Sequence, residues 1–214
     1  MSARLRPLLA SAVIGVVAAT GAVHAASAKP PVCNLVTDAV GDANGTFLQE
    51  GVAGAPSEDA VDIVSADLAS KGKKLTTVLR VKKLAASSPT APGGLHWKFF
   101  FSVAGTQIYT QAIAAAGAAP AFTFGTIDET TGTSTSLGAA EGVLDTAKNE
   151  VRITVSTGSL PESVKPGTKI DTFAPNAGRF IGNDAVLTFS DSTDLATSDR
   201  TYVAGAPSCV KVGK

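Results

Sequence analysis

The sequence predicts an all-β protein that folds as a single antiparallel β-sandwich of the jelly-roll or immunoglobulin-like kind. Several segments place an apolar residue at every second position, whereas the spacing near 3.6 residues that marks an amphipathic helix is scarce. Turns such as Pro92-Gly93-Gly94 and Pro166-Gly167 separate these segments at intervals typical of a sandwich. A chain of 214 residues is long enough to give one domain a sizeable core.

Two segments show the clearest alternation, and each indicates a half-buried strand. They run from Leu75 to Val81 and from Val151 to Val155. A short polar turn separates each of them from a preceding strand candidate, so both are expected to belong to hairpins. The partner strands and the other strand candidates cover residues 61–69, 142–144, 95–103, 107–113, 121–127, 169–173, 185–189 and 201–203.

Three segments depart from this pattern. Residues 159–164 are predicted to form one short helical turn, with Ser159 as its N-cap. Residues 112–119 are rich enough in alanine to be helical, although Pro120 limits that helix and the flanking strand candidates oppose it. The polar stretch 191–199 is predicted to be a surface loop.

Residues 1–28 have the composition of a cleaved secretory signal. Arg4 and Arg6 precede an apolar run over residues 8–23, and Ala26-Ser27-Ala28 offers small residues at the cleavage site. The apolar run is shorter than the roughly 20 residues that span a bilayer. We therefore expect a protein that is secreted into the extracellular space, with residues 29–214 as one β-sandwich domain.

The charge of the predicted mature chain argues against two classes of partner. Removal of the signal takes away two of the 18 basic residues and none of the 18 acidic ones, which leaves 16 against 18. The net charge is then about −2, and no polybasic run remains. Neither nucleic acid nor a membrane is expected as a partner after signal cleavage.

Cys33 and Cys209 are the only two cysteines of the chain, and they lie near the two ends of the predicted mature protein. A disulfide persists under the oxidising conditions outside the cell. Two cysteines allow one intramolecular pairing, so a Cys33–Cys209 disulfide is predicted, with two free thiols as the alternative.

An acidic loop lies ahead of the first clear strand. Asp38, Asp42 and Asn44 offer carboxylate and amide oxygens, and Gly41 and Gly45 permit the tight turns that bring such groups together. Ca²⁺ takes six to eight oxygen ligands of this kind. Aligning Gly45 with the invariant glycine of an EF-hand leaves the first and twelfth positions without carboxylates. An Asx-rich turn without an ion is the alternative interpretation.

The same loop carries a family resemblance. The pattern Asp38-x-x-Gly41-Asp42-x-Asn44-Gly45-Thr46 is followed by Val61-Asp62-Ile63 and then by the strand from Leu75 to Val81. In these features the chain resembles the opening of DOMON-like or family 9 carbohydrate-binding-module-like domains, among them the C-terminal domains of glucodextranase-type enzymes. The resemblance covers roughly residues 32–110.

This resemblance implies a β-sandwich with a structural Ca²⁺ near the opening loop. Carried over by position, the metal ligands would be Asp38, Asp42 and Asn44, with Asp62 as a further candidate. Many such domains are accessory modules of secreted bacterial enzymes, and some bind carbohydrate.

Trp97 and Tyr109 are the candidate ligand-binding aromatics. Sugar-binding modules stack apolar ring faces on exposed aromatic side chains. Trp97, however, shares one strand face with Phe99 and Phe101, and aromatics at a spacing of two are more often core residues. Trp97 is still the best candidate if a ligand face exists.

The sequence offers no recognisable catalytic set. His96 is the only imidazole outside the predicted signal, which is too few for a histidine-based zinc site. We therefore expect a non-enzymatic binding or interaction module for an extracellular glycan or protein. One alternative is a carboxylate-based hydrolase, or a detached accessory domain of one, that uses acids such as Glu129, Glu141 or Asp145. A further alternative is a structural or adhesive surface protein.

Overall fold

The computed structural model describes residues 29–43, 59–87, 93–180 and 190–213. These residues form twelve β-strands and one 3-10 turn, with no α-helix among them. In chain order the strands are β1 (Val36–Thr37), β2 (Ile63–Lys71), β3 (Lys74–Val81), β4 (Gly94–Val103), β5 (Thr106–Ala115), β6 (Ala121–Asp128), β7 (Thr133–Ala139), β8 (Glu141–Asp145), β9 (Glu150–Ser156), β10 (Lys169–Phe180), β11 (Ser190–Leu195) and β12 (Tyr202–Val203), and the 3-10 turn is Thr157–Ser159.

The strands form two antiparallel sheets. The smaller sheet has five strands in the order β1-β2-β3-β9-β8, and the larger has seven, in the order β11-β10-β4-β5-β6-β7 with β12 paired to β10. The predicted all-β sandwich is confirmed, and so are both predicted hairpins, β2–β3 and β8–β9.

The core lies between the sheets and draws on alternate residues of their strands. Trp97, Phe99 and Phe101 of β4 are each at most 2% exposed, as their spacing of two predicts. The ring centroid of Phe99 lies 5.9 Å from that of Phe173 on β10. Across the core, the hydroxyl groups of Thr77 and Thr110 lie 2.7 Å apart, so each sheet satisfies a buried polar group of the other.

The predicted short helix is wrong, and the alanine-rich stretch, for which helix and strand were both open, begins as strand. The predicted helix over 159–164 is replaced by the 3-10 turn, in which Ser159 is the last residue rather than the N-cap. Leu160 is extended, and both it and Val164 are buried, so the chain is drawn into the core instead of continuing as a helix. The alanine-rich stretch is strand as far as Ala115, because its residues pair in register with β4.

Three strands, β1, β7 and β11, were not predicted from the sequence. The segment predicted as a polar loop over 191–199 forms β11 over Ser190–Leu195, because it pairs with the end of β10. Strand β7 has exposed residues on both faces, so its sequence shows no apolar alternation. The strand predicted over 185–189 lies outside the described residues.

A disulfide joins Cys33 to Cys209, with the two Cα atoms 5.2 Å apart. The neighbouring residues pair as well, because Val32 N–H donates to Pro207 C=O at 2.9 Å and Cys209 N–H donates to Val32 C=O at 3.1 Å. The predicted disulfide is therefore present, and it anchors the segment 207–213, which we call the C-terminal strap.

The C-terminal strap covers the outer face of the smaller sheet. Val210 packs against Ala69 and Val78, and Gly213 N–H donates to the hydroxyl of Thr76 at 3.1 Å. Arg152 donates from Nη1 to the Lys211 carbonyl at 2.6 Å. Apolar contact and hydrogen bonds thus hold the strap along the sheet.

Beside the strap lies a network of charged side chains. Arg80 binds Asp67 Oδ2 at 2.7 Å through Nη1 and Glu150 Oε1 at 2.9 Å through Nε. Arg152 binds the other oxygen of Glu150 at 3.0 Å. Asp67 and Glu150 are buried, so their charges need these partners.

Within the described ranges, no helix has the length and apolar composition needed to cross a membrane. The predicted signal over residues 1–28 lies outside those ranges.

Replacing both Cys33 and Cys209 with serine is expected to lower the free energy of unfolding by about 2–5 kcal/mol, because the unfolded chain regains the freedom that the cross-link removes. Urea unfolding measures the effect. The unmutated protein in a thiol reductant is the control and should match the double variant. Equal midpoints for oxidised wild type and variant would contradict the prediction.

Candidate functional site

The opening loop is held by Asp62, the residue just before β2. Asp62 is completely buried, and its Oδ1 and Oδ2 accept the N–H of Gly41 at 3.0 and 2.8 Å. Gly41 has φ 93°, a conformation that glycine adopts without strain. The structure therefore joins Asp62 to the acidic loop by a direct hydrogen bond.

Lys82 supplies positive charge to the same place. Its Nζ lies 2.8 Å from Asp59 Oδ1 and 3.8 Å from Asp62 Oδ2. The hydrogen bond to Asp59 is the main cause of the raised pKa of Lys82. The buried carboxylate of Asp62 thus has an amide donor and a nearby ammonium group.

The other predicted metal ligands are less closely grouped. Asp38 Oδ1 accepts the N–H of Ala39 at 3.0 Å, while its Oδ2 is buried without a hydrogen-bond partner among the described residues. Asp42 is exposed, and Asn44 lies outside the described residues. In the described part of the chain, no group of three or more aspartate, glutamate, histidine or cysteine side chains is placed to hold a metal ion.

Trp97 lies in the core and not on a ligand face. It is 1% exposed, and its Nε1–H donates to the carbonyl of Ala60 at 2.8 Å. This bond ties the segment before β2 to the centre of the larger sheet. The indole is consequently unavailable for stacking on a ligand in this structure.

Tyr109 points to the outer face of the larger sheet but is covered there. The Nζ of Lys98 lies 4.9 Å from its ring centroid, and a Cβ at Gly125 would come within 2.7 Å of its Cζ. Tyr109 is 4% exposed, and burial raises the pKa of its hydroxyl, partly offset by a hydrogen bond to Ser136. Both predicted ligand aromatics are therefore enclosed by the protein.

His96 lies on the same outer face and is neutral at pH 7. Its Nε2 lies 3.3 Å from Asn176 Oδ1, and its ring centroid lies 5.0 Å from that of Phe180. Burial lowers its pKa to about 4; the hydrogen bond to Asn176 opposes this shift and the charge of Lys98 adds to it.

The acids considered for a hydrolase occupy separate surface positions. Glu141 Oε2 accepts from Lys74 Nζ at 3.1 Å, and Asp145 pairs with Lys148. The hydrogen bond from Lys148 is the main cause of the lowered pKa of Asp145. Glu129 is exposed in the turn between β6 and β7.

A cleft that the sequence analysis missed opens where the chain passes from the larger sheet to the smaller. Strands β7 and β8 are the edge strands on this side, and Ala140 is the one residue between them. The cleft, which we call the edge cleft, has a volume of about 320 Å³. It is lined by Lys73, Lys74, Phe124, Ala139, Ala140, Glu141, Thr154, Val155, Ser156 and Ser159.

The edge cleft has an apolar floor and a polar rim. Residues 139–140, both alanine, offer accessible apolar surface, and Phe124 and Val155, which are 5% and 3% exposed, form the floor beneath them. The exposed rim carries the ammonium groups of Lys73 and Lys74 and the carboxylate of Glu141. A volume above about 300 Å³ with this division of character is typical of small-molecule sites.

The wall of the edge cleft is fixed by contacts around β8. Ala140 N–H donates to the Phe122 carbonyl at 2.9 Å. The Phe122 ring lies against Gly142, where a Cβ would come within 2.2 Å of the ring. Glycine is therefore required at position 142, and these contacts fix the position of β7 relative to β8.

Comparison with known proteins adds no family to this description. No protein-family model, curated protein or solved structure matches the chain. The structure defines the class as an all-β sandwich with a disulfide-anchored C-terminal strap, and the resemblance to DOMON-like and carbohydrate-binding-module-like domains stays a prediction.

Replacing His96 with glutamine is expected to make stability less sensitive to acid. The pKa of His96 is about 4 in the folded protein and 6.5 for the ordinary residue. As pH falls, the unfolded chain therefore binds a proton at His96 before the folded protein does. The stability that neutral His96 contributes above pH 6.5 is lost progressively towards pH 4. The full contribution of His96 to the free energy of unfolding is on the order of 3 kcal/mol.

Urea unfolding at a series of pH values measures this effect, with fluorescence of Trp97, the only tryptophan of the chain, as the signal. The wild-type midpoint should fall more steeply than that of His96→Gln between pH 6.5 and 4. Parallel pH profiles would show that His96 does not contribute.

Proposed function

We propose that the protein is an extracellular, non-catalytic binding module and that it holds a glycan in the edge cleft. The observation that carries this proposal is the division of the cleft into an apolar floor and a hydrogen-bonding rim. A sugar ring has the same division, with C–H groups on its faces and hydroxyl groups around its edge. Aromatic and aliphatic side chains match the first, and charged or hydroxyl side chains match the second.

The positions of the lining residues support this proposal. Phe124 comes from β6 of the larger sheet and Val155 from β9 of the smaller, so the floor is built by both sheets. Ser156 and Ser159 add hydroxyl groups that can donate or accept hydrogen bonds. These residues belong to paired strands or to the adjoining 3-10 turn, which favours a preformed site.

The acidic content of the edge cleft favours binding over hydrolysis. Glu141 is the only acid among the described residues that line it. Glycosidases generally use a pair of carboxyl groups on either side of the bond that they cleave. The carboxylate of Glu141 instead forms an ion pair with Lys74.

The Cys33–Cys209 disulfide supports the extracellular location, because such bonds are rare in the reducing cytosol. The predicted signal over residues 1–28 supports the same compartment. A secreted protein with a glycan-binding cleft fits the accessory role that the family resemblance implies.

The structural calcium ion implied by the resemblance is retained as a proposal for the opening loop. Asp38 has one buried oxygen free of hydrogen bonds among the described residues, and Asp42 is exposed. Asp62 is the poorest fit, because Gly41 and Lys82 already satisfy its carboxylate. In the described part of the loop, one oxygen of Asp38 and two of Asp42 make at most three, fewer than the six to eight that Ca²⁺ takes.

Thermal unfolding of the mature protein tests the calcium proposal. If the loop binds Ca²⁺, Tm will be higher in calcium chloride than in chelator, because a ligand of the native state stabilises it by mass action. Asp42→Asn should reduce that difference. Equal Tm values in calcium and in chelator would rule out the ion.

Replacing Ala139 with tryptophan is expected to block the edge cleft and weaken glycan binding by at least about tenfold. Ala139 lines the cleft and is exposed, so the larger side chain enters it without disturbing the core. Ala118→Trp, in the exposed turn after β5, is the matched control and should bind like wild type.

A glycan array probed with the mature wild-type protein identifies a bound saccharide, and calorimetric titration then compares the two variants. An array without any bound saccharide would contradict the proposed function. Undiminished binding by Ala139→Trp would show that the glycan binds outside the edge cleft.

A further inference from the structure

The turn between β2 and β3 concentrates positive charge at one end of the sandwich. Lys71 and Lys74 are direct cross-strand partners, with Gly72 and Lys73 between them. Lys165 joins Lys71 in lining an adjoining crevice. We call these four residues, Lys71, Lys73, Lys74 and Lys165, the lysine end.

The requirements of the turn itself do not explain the lysines. Gly72 has φ 60°, which suits a glycine in a two-residue hairpin turn. Lys71 and Lys74 place like charges directly opposite each other, which is destabilising in a sheet. An anionic partner would offset this repulsion.

Most of this charge is not neutralised within the described residues. Lys74 forms its ion pair with Glu141 at 3.1 Å. Among the described residues, no ion pair is made by Lys71, Lys73 or Lys165. Glu162, three positions before Lys165, accepts a hydrogen bond from Thr106.

The lysine end and the edge cleft share two residues. Lys73 and Lys74 line the cleft, and Thr157 N–H donates to the Lys73 carbonyl at 2.9 Å. That bond fixes the turn next to the 3-10 turn, whose Ser159 also lines the cleft. A ligand on the cleft floor therefore lies beside the ammonium groups.

We infer that the glycan of the edge cleft is an acidic saccharide, bearing carboxylate or sulfate groups that the lysine end recognises. This inference rests on the proposed function, because it specifies the ligand of the same cleft. The lysines are exposed, so each ion pair contributes modestly and salt screens it. Affinity comes from several such pairs together with apolar contact on Ala139 and Ala140.

The cleft floor favours a saccharide over the other anions that lysines attract. Inorganic phosphate has no apolar face to place on Ala139 and Ala140, and a membrane presents a broad surface of headgroups rather than a ring that enters a cleft. An acidic sugar combines an apolar ring face with an anionic substituent, and both features have partners here.

The test is an array that presents uronic-acid and sulfated oligosaccharides, each beside its carboxyl-reduced or desulfated neutral counterpart. The mature protein is expected to bind acidic members at least about tenfold more tightly than their counterparts, with affinity that falls as sodium chloride rises. Lys73→Glu and Lys73→Gln should each weaken acidic binding, and the charge reversal should weaken it more.

Lys83→Glu is the matched control, because Lys83 is an exposed lysine just beyond the opposite end of β3. This variant should bind like wild type. That result would show that Lys73→Glu acts through its position and not through the change in net charge. Because Lys73 is exposed, all variants should keep the wild-type Tm, and fluorescence of Trp97 verifies their folding.

Three results would overturn the inference. Equal binding of acidic and neutral counterparts, unaffected by salt or by Lys73→Glu, would refute it and leave glycan binding intact. Binding of no saccharide by folded protein would refute the proposed function as well. Binding of phosphatidylglycerol vesicles or inorganic phosphate without any saccharide would assign the lysine end to another anion.

Discussion

Burial of one face of β4 is the constraint on which the rest of the sandwich depends. Trp97, Phe99 and Phe101 fill the space between the sheets, and β4 lies between β10 and β5 in the larger sheet. Side chains of a strand alternate between faces, so this burial directs His96 and Lys98 outward. The bond from Trp97 to Ala60 then draws in the segment that carries Asp62, which in turn holds the opening loop.

Among the described residues, parts of both outer sheet faces are covered by the protein itself. The C-terminal strap covers the outer face of the smaller sheet around Val78, and the Tyr109 ring on the outer face of the larger sheet is enclosed. The edge between β7 and β8 is where the sheets part around a sizeable cleft. The proposed binding site therefore lies at an edge, because packing occupies the faces next to the most prominent aromatics.

The sequence predicted the parts of this structure that depend on local pattern. Strand β3 alternates because its core face carries leucine and valine and its outer face mainly polar side chains, whereas β7 is exposed on both faces and shows no such pattern. The edge cleft could not be predicted, because it depends on which strands end each sheet. Asp62 illustrates a different limit, since a carboxylate beside a glycine turn suits either a metal ion or a hydrogen bond to Gly41.

The position of the disulfide also determines how the protein carries mechanical load. Force applied through the chain on either side of Cys33 and Cys209 enters and leaves at Cα atoms only 5.2 Å apart and passes through the sulfur–sulfur bond. The strands lie within the covalent loop, so tension reaches them only through the contacts of the strap residues beyond Cys209. Tension applied in this way would leave the strands inside the loop folded, because the disulfide carries it past them.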